Sequence, residues 1–119
     1  LTSVNIMNVE KMVENSNLHL QKKMYDVNGN ISDVKNGSYE IVIENEKETQ
    51  TVVLDESNAY AMDLSLESGW YHIYELHASG DVKYQVDGVD HHEKVYMYID
   101  KMPHKVLVLN SNSTIYYEF

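Results

Sequence analysis

The chain has 119 residues, which suits one domain with a single modest core, and no apolar run in it is long enough to span a bilayer. Its net charge is −10 and all nine basic residues are Lys, so it lacks the basic stripe and the guanidinium groups that nucleic-acid binding uses, and nucleic acid is set aside as a partner. Cysteine is absent, which excludes disulfides, thiolate metal sites and a Cys nucleophile.

Ten tyrosines, a single proline and repeated short β-branched runs favour strands over helices. Residues 1–16 have weak periodicity and are read as a lead-in, a linker or an added strand. They lack the basic and apolar regions of a signal peptide, and a chain that starts at Leu1 is expected to be a piece of something longer. Leu18 to Lys22 alternates cleanly, with Leu18, Leu20 and Lys22 on one face. The same parity selects Lys22 over the adjoining Lys23. Asp26 to Asn30 is a turn centred on Asn28-Gly29, and Asn36-Gly37 marks another. Tyr39, Ile41 and Ile43 then form the inner face of a strand that ends in an acidic hairpin tip, Glu44 to Glu48.

Thr49 to Leu54 predicts a further strand, Asp55 to Asn58 a turn, and Ala59 to Leu64 a short strand with Met62 and Leu64 inward. Gly69-Trp70-Tyr71-His72-Ile73-Tyr74-Glu75 is the most informative stretch. Alternation puts Tyr71, Ile73 and Glu75 on one face and Trp70, His72 and Tyr74 on the other. If Tyr71 and Ile73 face the core, a carboxylate is delivered inward too, which is costly unless it is paired or protonated. Ala78 to Asp81 is a turn, Val82 to Val86 a strand, Asp87 to His92 a polar loop and Lys94 to Asp100 a strand carrying Tyr96 and Tyr98. After a turn at Pro103, Lys105 to Asn110 is the last strong strand, with Val106, Val108 and Asn110 on one face. Residues 113–119 are a terminal strand or the start of a next domain. Short strands at regular spacing with turns between them indicate an all-β fold, an antiparallel β-sandwich.

Three strands thus end an apolar row with one polar residue: Lys22, Glu75 and Asn110. Taken singly, such a residue more often marks a strand's exit from the core, snorkelling to water. The set of three is more pointed, because an amine, an acid and a carboxamide can react. Burial favours the neutral amine and the protonated acid. The amine can attack the Asn side-chain carbonyl while the acid polarises it and relays protons, and ammonia leaves. The product is an amide between two side chains, made once.

Lys22 within Leu18-His19-Leu20-Gln21-Lys22, the Gly69–Glu75 stretch and Val106-Leu107-Val108-Leu109-Asn110 together resemble the Cna B-type (SpaA-like, prealbumin-like) domains of Gram-positive surface proteins and pilins. The resemblance covers residues 17–112. It implies a prealbumin-like β-sandwich, a stalk or adhesin module on the bacterial cell surface, and an autocatalytic isopeptide bond between Lys22 and Asn110 with Glu75 as the catalytic acid. It also implies neighbouring domains of a longer surface protein as partners. Neither a cofactor nor a metal is expected, and no enzyme that turns over substrate.

The alternative is a surface binding module in which Trp70, His72 and Tyr74 contact a glycan or a host protein. Coverage of that stripe by a loop or a neighbouring domain is the plainer expectation for it. His91-His92-Glu93 with Asp87 and Asp90 is read as a solvated acidic loop, since adjacent strand residues point to opposite faces and chelate poorly.

Overall fold

The computed structural model describes residues 16–78 and 80–111. The lead-in up to residue 15, the terminal segment 113–119 and part of the Ala78–Asp81 turn lie outside the described residues. The strands are β1 (Leu18–Tyr25), β2 (Ile31–Asp33), β3 (Tyr39–Glu44), β4 (Thr49–Leu54), β5 (Ala61–Leu64), β6 (Gly69–Leu76), β7 (Val82–Val86), β8 (Val89–His91), β9 (Val95–Ile99) and β10 (His104–Ser111). One sheet runs β2-β1-β10-β7-β8 with β5 also on β1, and the other runs β4-β3-β6-β9. Their inner faces pack as the expected β-sandwich. Alternating residues of both meet in one core that includes Leu18, Leu20, Ile41, Ile43, Tyr71, Ile73, Val106 and Val108.

Among the described residues every pairing is antiparallel except one. β1 and β10 run parallel, in register from Leu18 opposite His104 to Tyr25 opposite Ser111. Parity along a strand predicts which face a side chain takes, not which neighbour the strand finds, so this pairing is invisible to periodicity. The far edge of β1 is shared. β5 covers Leu18–Gln21 and β2 covers Lys23–Tyr25. Lys22, at the junction, donates its backbone N–H to the Tyr60 carbonyl at 2.9 Å.

The polar loop expected over Asp87 to His92 is corrected: it contains β8. Asp87 and Gly88 both take positive φ, 48° and 89°, and Val86 pairs with Val89 across them. This is the two-residue hairpin for which Asp-Gly is the strongest short signal. The three β8 residues are all exposed, so no apolar alternation marks the strand. β2 escaped notice for the same reason. The strand expected to begin at Ala59 begins at Ala61. A 3-10 turn over Glu56–Asn58 is closed by a capping box from Asp55, and Ala59 and Tyr60 leave it with left-handed backbone.

Asn17 is a further missed residue. It is 4% exposed, its amide donates to the carbonyls of Leu66 and Asp100, and its side-chain oxygen accepts from the Leu66 N–H. It therefore ties the β5–β6 and β9–β10 connections together at one end of the sandwich. His104 adds to that end by bridging Asp87 and Asp100 at 3.0 and 2.8 Å. Burial opposes protonation of His104, but hydrogen bonds to Asp87 and Asp100 and their charges prevail and raise its pKa.

Candidate functional site

The three parity arguments hold inside the sandwich. Lys22 follows Leu18 and Leu20 inward from β1, and its side chain has no exposure. Lys23 points the other way, where it pairs with Asp33 of β2 at the surface. Glu75 follows Tyr71 and Ile73 inward from the opposite sheet, and its side chain is 4% exposed. Asn110 follows Val106 and Val108 near the end of β10 and is 7% exposed.

The three meet on one carboxylate. Lys22 Nζ lies 3.2 Å from Glu75 Oε1, and Asn110 Nδ2 donates to Glu75 Oε2 at 3.3 Å. The Lys22 contact is chiefly one of charge, because Oε1 receives no well-directed hydrogen bond. The ammonium instead donates to the Val108 carbonyl at 3.3 Å and lies 4.8 Å from the centre of the Tyr39 ring. Burial pushes the Lys22 pKa down to about 8, against the opposing charge and contact of Glu75. About a tenth of the amine is then neutral at pH 7.

Asn110 Oδ1 is buried and accepts no hydrogen bond among the described residues. That oxygen is the one a nucleophilic attack on the carboxamide would charge. With Glu75 ionised, the amide NH₂ faces the carboxylate. With Glu75 protonated, a flip of the amide lets Oδ1 accept the acid proton and relieves the orphaned oxygen. One proton passing from Nζ to Oε1 along their contact creates a neutral amine and a neutral acid together, with no change in the net charge of the cluster.

Tyr84 completes the surroundings. Its hydroxyl crosses from β7 to accept the backbone N–H of Glu75 at 2.9 Å. Burial raises its pKa, and so does the charge of Glu75, while the bond from the Glu75 N–H lowers it. No feature of the sequence pointed to this contact.

The outward stripe divides. Trp70 and His72 sit opposite Tyr98 and Tyr96 of β9. Tyr96 stacks between them, with centroids 5.0 Å from Trp70 and 4.4 Å from His72. Trp70 is 53% exposed and Tyr96 58%. Tyr74 is engaged elsewhere. Its hydroxyl donates to Glu44 at 2.9 Å, and the Lys94 ammonium lies over its ring. A groove of about 520 Å³ beside the stack is lined by Trp70, His72, Tyr96, Glu44, Glu46 and Glu67, among others. His91 and His92 are exposed, and Asp87 and Asp90 are taken up by His104 and by Lys83 with Gln85. No grouping of His, Asp or Glu fit to hold a metal occurs among the described residues. No family model, curated protein or solved structure matches this chain.

Proposed function

We propose that this chain is a structural module of a bacterial cell-surface or pilus protein, stiffened by an isopeptide bond that it makes itself between Lys22 and Asn110. The observation that carries the reading is Glu75: one buried carboxylate touches the amine with one oxygen and the carboxamide with the other. Lys22 passes a proton to Glu75 and attacks Asn110 Cγ as the neutral amine. Protonated Glu75 donates to Oδ1 as that oxygen gains charge. The carboxylate then relays a proton from the attacking nitrogen to Nδ2, the Cγ–Nδ2 bond breaks as the carbonyl re-forms, and the Oδ1 proton, returned through Glu75, leaves with the ammonia as ammonium. Glu75 ends as it began. Proximity supplies most of the acceleration, since the fold holds the buried reactants together.

The mechanical consequence follows from the parallel β1–β10 pair. Tension entering at Leu18 and leaving at Ser111 pulls these neighbours in opposite senses and loads their hydrogen bonds in shear. A covalent link from Lys22 to Asn110 bypasses every residue between them. It gives a chain without cysteine a cross-link that needs no oxidant.

The test is the intact mass under denaturing conditions. The parent chain is expected to weigh one ammonia less than its sequence, and Glu75→Ala the full mass. Folded parent at full mass would remove the proposal.

The exposed stack favours a second reading, a contact surface for a glycan or host protein on the outer face of β6 and β9. Trp70, half-exposed and stacked on Tyr96, is the residue such a partner would engage. Glycan arrays and pull-downs are then expected to give binding that Trp70→Ala abolishes while leaving the intact mass unchanged.

A further inference from the structure

The Glu75 N–H donates to the Tyr84 hydroxyl, and no residue of β9 is paired opposite Glu75. β9 stops short: its pairing with β6 ends at Ile73 opposite Val95. Glu75 therefore sits two residues beyond the last strand partner on the β9 side, while β3 pairs with β6 as far as Leu76. A carboxylate that must touch Lys22 and Asn110 at once thus hangs from a backbone position held by a strand on one side only, where Glu75 lies opposite Ile41 of β3. Tyr84 takes the place of the missing strand, reaching across the sandwich from β7. β7 pairs with β10, Tyr84 opposite Val108, and Val108 supplies the carbonyl that holds Lys22 Nζ. One buried side chain thus fixes the backbone of Glu75 relative to the strand that carries Asn110 and orients Lys22.

We infer that Tyr84 is a positioning residue for the Lys22–Asn110 condensation, setting the distance of the Glu75 carboxylate from both reacting groups through its hydrogen bond to the Glu75 N–H. This rests on the reading in the preceding subsection. The bonds made and broken are those given there, and Tyr84 exchanges no proton with them. Tyr84→Phe removes one oxygen and leaves the ring's packing in place. It leaves the Glu75 N–H without that acceptor, so Glu75 is held by β3 alone, and a displacement on the order of 1 Å in a reacting group slows such a step by up to about a hundredfold.

The full chain, made by cell-free translation, is sampled over time into denaturant, and the fraction lighter by one ammonia is read by intact mass. Tyr84→Phe is expected to link between about tenfold and a hundredfold more slowly than the parent. Ile99→Val, a core truncation at the other end of β9, is the control for lost stability and is expected to link at the parental rate. The pH at which linking is half-maximal is expected to fall in Tyr84→Phe, because a displaced Glu75 no longer favours the charged form of Lys22. A purely structural role would leave that pH where it is. Equal rates for parent and Tyr84→Phe would overturn the inference and leave the bond standing. A parent chain that never loses ammonia would overturn both. A measurement independent of any variant is hydrogen exchange at the Glu75 amide. Protection like that of paired strand amides is expected, and exchange at the rate of an exposed amide would refute the role of Tyr84.

Discussion

Lys22→Ala is expected to be the most destabilising single substitution in this protein, and more so than Asn110→Ala. Both abolish the link. By the loop-entropy argument, a tie between residues 22 and 110 is worth ~4–5 kcal/mol, since it closes most of the chain. Asn110→Ala loses that and one hydrogen bond. Relative to Asn110→Ala, whose Lys22 ammonium still faces Glu75, Lys22→Ala strands the carboxylate in the core with no cation, at a further cost of about 3–5 kcal/mol. The sum approaches the whole stability of an ordinary domain, roughly 5–15 kcal/mol, so Lys22→Ala is expected to be largely unfolded at room temperature. The paired change Lys22→Met with Glu75→Leu removes both charges and should recover most of the second loss. Urea denaturation of the four proteins decides the matter. An Asn110→Ala cost near 1 kcal/mol, the worth of a lone hydrogen bond, would mean that no covalent tie exists.

The centre of this site was legible because strand parity is a strong constraint. Leu18, Leu20, Tyr71, Ile73, Val106 and Val108 are buried apolar residues, and side chains at the same parity follow them inward whether or not they are polar. That is why Lys22 separates from Lys23 and Glu75 from Tyr74. What escaped depends on relations between strands. Tyr84 matters because β9 ends beside Ile73, and Asn17 because two connections close over it; neither fact has a period or a motif. β2 and β8 have no buried face, so they were visible only through their turns. For β8 the Asp87-Gly88 pair, between Val86 and Val89, is such a signal. The outer stripe was half legible. Trp70 and His72 gather with β9 tyrosines, while Tyr74 is drawn to Glu44 and Lys94.

The unlinked protein should also respond to pH in a sense opposite to most alkaline titrations. Asn110→Ala keeps Lys22 and Glu75 but cannot form the amide. Its Lys22 holds a pKa of about 8 in the fold against 10.5 when unfolded. Below pH 8 both states carry the proton, and the cost of burying the ammonium is present in full. Between 8 and 10.5 the native state releases the proton while the unfolded chain keeps it. The unfolded state then binds more protons, so stability rises with pH, by on the order of 3 kcal/mol across the window. The phenols of Tyr39, Tyr60 and Tyr84 have raised pKa values, chiefly through burial. Their contribution is present below pH 10 and is lost as pH rises through the folded values, so the measurement belongs between 8 and 10. The raised pKa of His104 adds stability that is complete below 6.5 and fades as pH climbs through its folded value. Both effects are common to the parent and the variant. In the linked parent Lys22 is an amide and has no proton to release. The gap in urea midpoint between parent and Asn110→Ala should therefore narrow steadily from pH 8 to pH 10. A constant gap would mean that Lys22 titrates in neither protein or in both, and the amine would not be the depressed, reactive group that the condensation requires.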